Sequence, residues 1–155
     1  MELAFQRLPG VVDTRVGYCQ GASASVTYEE VCAGNSGHNE VVQVAFDPAL
    51  VSYDALLDAF WAKHDPTTPN RSGNDVGPQY RSGIYYHTEE QRAAAQASLD
   101  RQNAKMGGSV VTELEEIRNW VEAETYHQQY LAKGGRFGEP QSTAKGCTDP
   151  IRCYG

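Results

Sequence analysis

A chain of 155 residues with 40% hydrophobic content has enough apolar side chain for one core and one globular domain. Its formal charge of −7 and pI near 5.0 exclude nucleic acid and anionic membrane as the main partner, because both repel a net anion. No apolar run approaches the roughly 18 residues that a membrane-spanning helix requires.

In chain order, residues 2–8 read as a short amphipathic helix ended by Pro9-Gly10. Residues 11–18 read as a strand with Val12, Thr14 and Val16 on one face. A helical turn over 27–32 has Thr27 as its N-cap and stops at Gly34. Residues 40–46 are the clearest strand: Val42, Val44 and Phe46 alternate with Val41, Gln43 and Ala45, so burial on both faces is expected. Ser52 caps a helix running to about His64, with Leu56, Leu57, Phe60 and Trp61 as its apolar stripe. Residues 83–86 form a short aromatic strand. Thr88-Glu89-Glu90-Gln91 has the form of a capping box and opens a long helix to about Met106, ended by Gly107-Gly108. A strand over 110–115 and a helix over 124–133 follow, and coil is expected from Arg136 onward. Mixed helices and strands, too few for a doubly wound sheet, imply an α+β two-layer sandwich.

Between the third helix and the aromatic strand lies Gly73-Asn74-Asp75-Val76-Gly77-Pro78-Gln79-Tyr80-Arg81-Ser82. Its glycines and proline forbid a helix and suit a central strand poorly, yet it carries an acid and a phenol on a stiff backbone. Such a loop is either a structural turn or a binding site. Glu40 stands at the mouth of the clearest strand, where burial would raise its pKa and keep it protonated as a general acid. A solvated strand-end glutamate is the plainer reading. Tyr28 and Tyr80 are phenols able to donate to a polar oxygen, or ordinary core and rim residues. The histidines, His38, His64, His87 and His127, show no metal-ligand spacing and read as structural or surface groups; no metal is expected.

Four cysteines are too few for a disulfide scaffold, and with no visible signal peptide they suggest a reducing compartment. Cys19 and Cys32 sit in apolar contexts and read as buried small hydrophobes. Cys147 and Cys153 lie in a Gly- and Pro-punctuated tail beside Lys145 and Arg152. Positive charge favours the thiolate, and a mobile tail lets it reach a distant partner. A zinc half-site would need a second pair of ligands that the sequence does not offer at matching spacing.

Four stretches together carry a resemblance: Thr27-Tyr28-Glu29-Glu30-Val31-Cys32-Ala33-Gly34, Gly37-His38-Asn39-Glu40-Val41-Val42, His64-Asp65-Pro66-Thr67, and the 73–82 loop. In order and spacing they resemble methionine sulfoxide reductase A over essentially the whole chain, and the ending from Cys147 to Gly155 resembles its plant and algal branch. The resemblance implies an α+β fold with a ferredoxin-like core over residues 1–135 and a coiled redox tail over 136–155. It implies reduction of methionine-(S)-sulfoxide, free or in proteins, with Glu40 as the acid. Tyr28 and Tyr80 would hydrogen-bond the sulfoxide oxygen, with Asp75 supporting through water. Cys147 and Cys153 would resolve the resulting sulfenic acid as a disulfide, which thioredoxin reduces. No cofactor is implied, and the expected chain is a monomer in the cytoplasm, or in a plastid if a transit peptide once preceded it.

The sequence departs from the family at one place. The family's nucleophile lies in a Gly-Cys-Phe-Trp-Gly motif, and residues 2–10 match what directly follows it. The motif and the first strand are therefore expected to be missing, and the chain as written to be poorly folded and inactive. The alternative is an inactive relative that binds oxidised methionine or a partner. A family nucleophile of selenocysteine, encoded by UGA and read as stop, would place Met1 where it stands. An in-frame TGA followed by Phe, Trp and Gly codons upstream is the expected observation, against an ordinary cysteine codon or no motif.

Overall fold

The computed structural model describes residues 1–152; Cys153, one of the two tail thiols, lies outside the described residues. Helices begin where the sequence supplies an oxygen for their unpaired N–H groups. Thr27 opens α2 (Tyr28–Cys32) with a complete capping box, its hydroxyl accepting from Glu30 N–H while Glu30 reaches back to Thr27 N–H. Ser52 accepts from Ala55 N–H at the start of α3 (Tyr53–Ala62), and Thr88 from Gln91 N–H at the start of α4 (Glu89–Lys105). The return bond of this last cap is displaced by one residue: Gln91 Oε1 accepts from His87 N–H. The remaining helix, α1 (Glu2–Gln6), packs three consecutive buried residues, Leu3, Ala4 and Phe5, beneath it.

Among the described residues the strands assemble into three small sheets. β1 (Val11–Cys19) lies between β2 (Asn39–Phe46) and β7 (Val121–Glu122), antiparallel to both. β3 (Arg71–Ser72) and β4 (Asp75–Val76) form a miniature hairpin, and β5 (Gly83–Tyr86) pairs in parallel with β6 (Glu113–Glu116). Between Val11 and Asp13 the β1–β2 register slips by a bulge. That extra residue reverses the alternation behind it, so Val12 is 74% exposed while Thr14 is buried, and the two do not share a face. β2 is also less buried than its composition suggests. Val42, Val44 and Phe46 pack on the core, but Gln43 and Ala45 are exposed because β2 ends its sheet and only one face meets the helices.

Two apolar clusters share Tyr53 and Phe60 at their margins. One joins Phe5, Val11 and Leu56; the other joins Leu57, Trp61, Ile84 and Ala95. In the second, the Trp61 indole donates to Ser98 Oγ at 2.7 Å, both groups being buried between α3 and α4. Ser98→Ala leaves that N–H unpaired and is expected to cost about 1–3 kcal/mol, read as a lower urea midpoint at unchanged slope. An equal midpoint would show that the indole finds another acceptor. The second tryptophan, Trp120, packs against Gly17 in β1, so close that a Cβ there would stand 2.3 Å from its ring.

The helix expected over 124–133 does not form. A 3₁₀ turn at Thr125–His127 is followed by Gln129 in the left-handed region, φ 49°, which ends any helix. Side-chain amides take over the edge of β1 instead: Gln128 Oε1 accepts from Val16 N–H at 2.7 Å, and its Nε2 donates to Val16 O at 2.7 Å. Gln129 Nε2 donates to Thr14 O. The segment therefore serves as a surrogate strand. Beyond the 3₁₀ turn at Gly135–Phe137, no helix or strand occurs among the described residues.

Candidate active site

The antiparallel register sets Glu40 directly across from Tyr18, at the end of the sheet where α2 and the 71–80 loop converge. Glu40 is half-buried. Burial first, then the nearby charges of Asp75 and Glu124, push its carboxyl up to about 7. A glutamate at that value exchanges its proton near neutrality. The charge of Glu40 in turn acts on Tyr18, Tyr28 and Tyr80, so the three phenols and the acid share one neighbourhood.

Each group is delivered by a different local device. Tyr28 is the first residue of the capped helix α2, and its N–H donates to Glu124 Oε1 at 3.0 Å. Its ring meets His127 edge-on, 4.6 Å between centroids. Contact with the Cys32 thiol, then burial, raises its hydroxyl well above the ordinary phenol value. Asp75 opens the second arm of the β3–β4 hairpin. Tyr80 closes the 3₁₀ turn Pro78–Tyr80, entered through Gly77 at φ 148°. Glycine is required there: besides the backbone angle, a Cβ would lie 2.3 Å from Gln79 Oε1. Burial and the charges of Glu40 and Asp75 push Tyr80 up to about 12. Both phenols therefore keep their protons at any working pH and remain able to donate.

Glu124 binds the cluster together, a role that sequence reading missed. Its Oε2 accepts from Tyr18 OH at 2.9 Å and lies 3.0 Å from His127 Nδ1. Burial pushes its pKa up, but bonds from its own backbone N–H, Tyr18, His127 and Tyr28 N–H outweigh that and hold it below the usual carboxylate range. The site thus holds two glutamates of opposite habit. Glu124 stays ionised at neutrality, where Glu40 is still partly protonated. Of the two readings given for His127, structural or surface, the structural one holds: it is part of this brace. The only prior signal was the Glu124–His127 spacing of three, which the expected helix would have produced anyway.

Two thiols behave differently from each other. Cys19 is fully buried as expected, and burial pushes its thiol up to about 12. Cys32 is exposed, contrary to its apolar reading, because α2 is a five-residue turn whose C-terminal end faces outward; Val31 takes the core position. Gln79, buried, donates to Cys32 O at 3.5 Å and so ties the turn carrying Tyr80 to the helix carrying Tyr28. Arg81 fastens the far side of the loop, donating to Glu113 at 2.7 Å and to Gly37 O at 3.1 Å. Tyr85 hydroxyl, bonded to Glu113, accepts from Asn39 Nδ2 beside Glu40. A groove of about 480 Å³ lies away from this cluster between Val12, Gln129 and Lys145.

An acid with a raised pKa beside two permanent phenolic donors suits a substrate oxygen that gains a proton. The family model for peptide methionine sulfoxide reductase matches residues 1–148. The chain belongs to that family. It is similar to the chloroplastic peptide methionine sulfoxide reductase A4 of Oryza sativa, 61% identical over all of this chain and 59% of the relative. A relative in Lactuca sativa is 59% identical over 60% of its length, so the chain spans about three-fifths of such curated relatives. Methionine sulfoxide reductase A of Corynebacterium diphtheriae covers 99% of this chain and 76% of its own at 33% identity, with a TM-score of 0.80. Mxr1 of Saccharomyces cerevisiae in complex with Trx2 covers 74% of this chain and 64% of its own at 27% identity, TM-score 0.53. The fold shared with these reductases is a mixed α/β one built on small sheets.

Proposed function

We propose that this chain supplies the acid, the oxygen-binding groups and the resolving thiols for thioredoxin-dependent reduction of methionine-(S)-sulfoxide, free or in proteins. The observation that carries the reading is the raised pKa of Glu40, about 7, set among Tyr28, Tyr80 and Asp75. Tyr28 and Tyr80 donate hydrogen bonds to the sulfoxide oxygen, and Asp75 sustains the charge that keeps Glu40 protonated. As a thiolate or selenolate of the family motif bonds to sulfur, Glu40 passes its proton to that oxygen. The protonated oxygen then leaves the methionine sulfur as water. A water oxygen bonds to the nucleophile as the bond between nucleophile and sulfur breaks, methionine departs with that electron pair, and the nucleophile is left as a sulfenic or selenenic acid.

Cys147 or Cys153 then attacks that acid, releasing water and forming a disulfide or selenenylsulfide, which thioredoxin reduces. The yeast relative's complex with Trx2 supports this choice of reductant. The Gly-Cys-Phe-Trp-Gly motif is not in the sequence, and neither Cys19 nor Cys32 is assigned its role. We read residues 1–135 as a two-layer core of ferredoxin-like type and 136–155 as the redox tail, with no cofactor or metal and a monomeric state. Among the described residues no helix is long and apolar enough to cross a membrane. The proposed compartment is the cytoplasm or, as the name of the rice relative suggests, a plastid.

Epimer selectivity tests the reading. Joined behind a segment carrying the motif, the chain is expected to consume the S epimer in a thioredoxin-coupled assay and leave the R epimer untouched. Equal consumption of both epimers, or of neither, overturns it.

A further inference from the structure

Residues 141–152 fold back on themselves and onto α1. At the neck, buried Gln141 clasps Arg152 as a strand partner would: Nε2 donates to Arg152 O at 2.7 Å, and Oε1 accepts from Arg152 N–H at 2.9 Å. Inside the loop, the Arg7 guanidinium donates from Nε to Ser142 O at 2.8 Å and from Nη1 to Asp149 O at 2.6 Å. Arg7 is only 7% exposed, and among the described residues it makes no ion pair; main-chain carbonyls of the tail satisfy its charge. A buried cation is costly when unpaired, so the loop and the arginine depend on each other.

Lys145 locks the arrangement from the opposite side. Its ammonium donates to Gln6 O at 2.6 Å and to Val11 O at 2.7 Å, while Gly146 N–H donates to Arg7 O at 2.8 Å. Each partner thus offers its cation to the other's backbone. Cys147, half-buried, sits at the centre of the loop with its N–H bonded to Ala144 O.

We propose that Arg7 is a positioning residue for the tail thiol Cys147: with Lys145 it docks the 141–152 loop on α1 and sets how often that thiol is presented for exchange. The inference rests on the resolving role given to Cys147 above. A thiol that must first meet a sulfenic acid and then an external reductant needs a defined resting place and a reversible release. Hydrogen bonds from cations to carbonyls give both, since they are directional and water can replace them.

The test uses the 155-residue chain as it is, following iodoacetamide alkylation of each cysteine by peptide mass mapping. Arg7→Met is expected to raise the Cys147 alkylation rate about tenfold or more, because two charge-assisted bonds are lost. Cys32 should alkylate at the wild-type rate in the same sample, which general loosening of the fold would not allow. Arg7→Lys, reaching one carbonyl rather than two, should fall between. Lys145→Met, at an exposed position, should act in the same direction and decides the matter if Arg7→Met does not fold. Unchanged Cys147 alkylation in Lys145→Met and in any folded Arg7 variant overturns the clamp. A failure of epimer-selective turnover strikes the reductase reading and leaves the alkylation result standing.

Discussion

Replacing Glu40 with glutamine is expected to cut the turnover of methionine sulfoxide roughly a hundred- to ten-thousand-fold in the chain joined to its family motif. An amide occupies the same space and donates a hydrogen bond, but it cannot deliver a proton. The pH profile should show the same group. With its carboxyl at about 7, half of Glu40 is protonated at neutrality; at the ordinary value of 4.5 roughly one in three hundred would be. The wild-type rate should therefore be highest at acid pH and fall as pH rises through about 7, and the variant should lack that limb. The folding equilibrium must follow in the same direction. Glu40 holds its proton in the folded chain over a range where the unfolded chain has lost it. Stability is thus full below pH 4.5 and lost as pH rises through about 7. Glu40→Gln should be more stable than wild type at pH 8 by about 2–3 kcal/mol at most, discounted for partial exposure, with the difference vanishing near pH 4. Full activity in the variant would remove Glu40 from the chemistry.

Changing Cys147 and Cys153 together to serine is expected to stop thioredoxin-coupled turnover outright, after about one methionine formed per active site. The sulfoxide step needs neither thiol, but the sulfenic acid then has no partner within the chain. Each single variant should keep part of the coupled rate, since five residues between the thiols leave either able to reach the same sulfur. Undiminished coupled turnover in the double variant would deny the tail any resolving role. A quenched-flow count of methionine in the first turnover separates a recycling defect from a chemical one.

Sequence and structure agree where a single residue carries a strong local rule. Thr27, Ser52 and Thr88 each mark a helix start because one hydroxyl meets one unpaired N–H, and no distant contact competes. They part where a distant segment decides. Val12 belongs to the wrong face because one bulge shifts the parity of the strand, and no residue type at that point announces it. Residues 124–133 have helical composition, but Gln128 and Gln129 bond more profitably to the edge of β1 than to their own turn. The same tertiary contact hides Glu124, whose partners Tyr18 and Tyr28 are about a hundred residues away. Glu40, Tyr28, Tyr80 and the acid of the 73–82 loop each stood out beside a plainer reading, and only the family pattern joined them into one site. Each alone is an unremarkable acid or phenol, and the burial that couples them arises when β2, α2 and the 71–80 loop meet.

The two tryptophans of the chain stand in different halves of the architecture. Trp61 is buried between α3 and α4, while Trp120 packs against Gly17, one residue from the Tyr18 that faces Glu40. The protein therefore carries its own pair of optical probes. An emission change that survives Trp61→Phe and disappears in Trp120→Phe originates at the three-stranded sheet, on the face of β1 opposite Tyr18 and Glu40, and can be followed without attaching a dye. The reverse pattern would report on the helical layer alone.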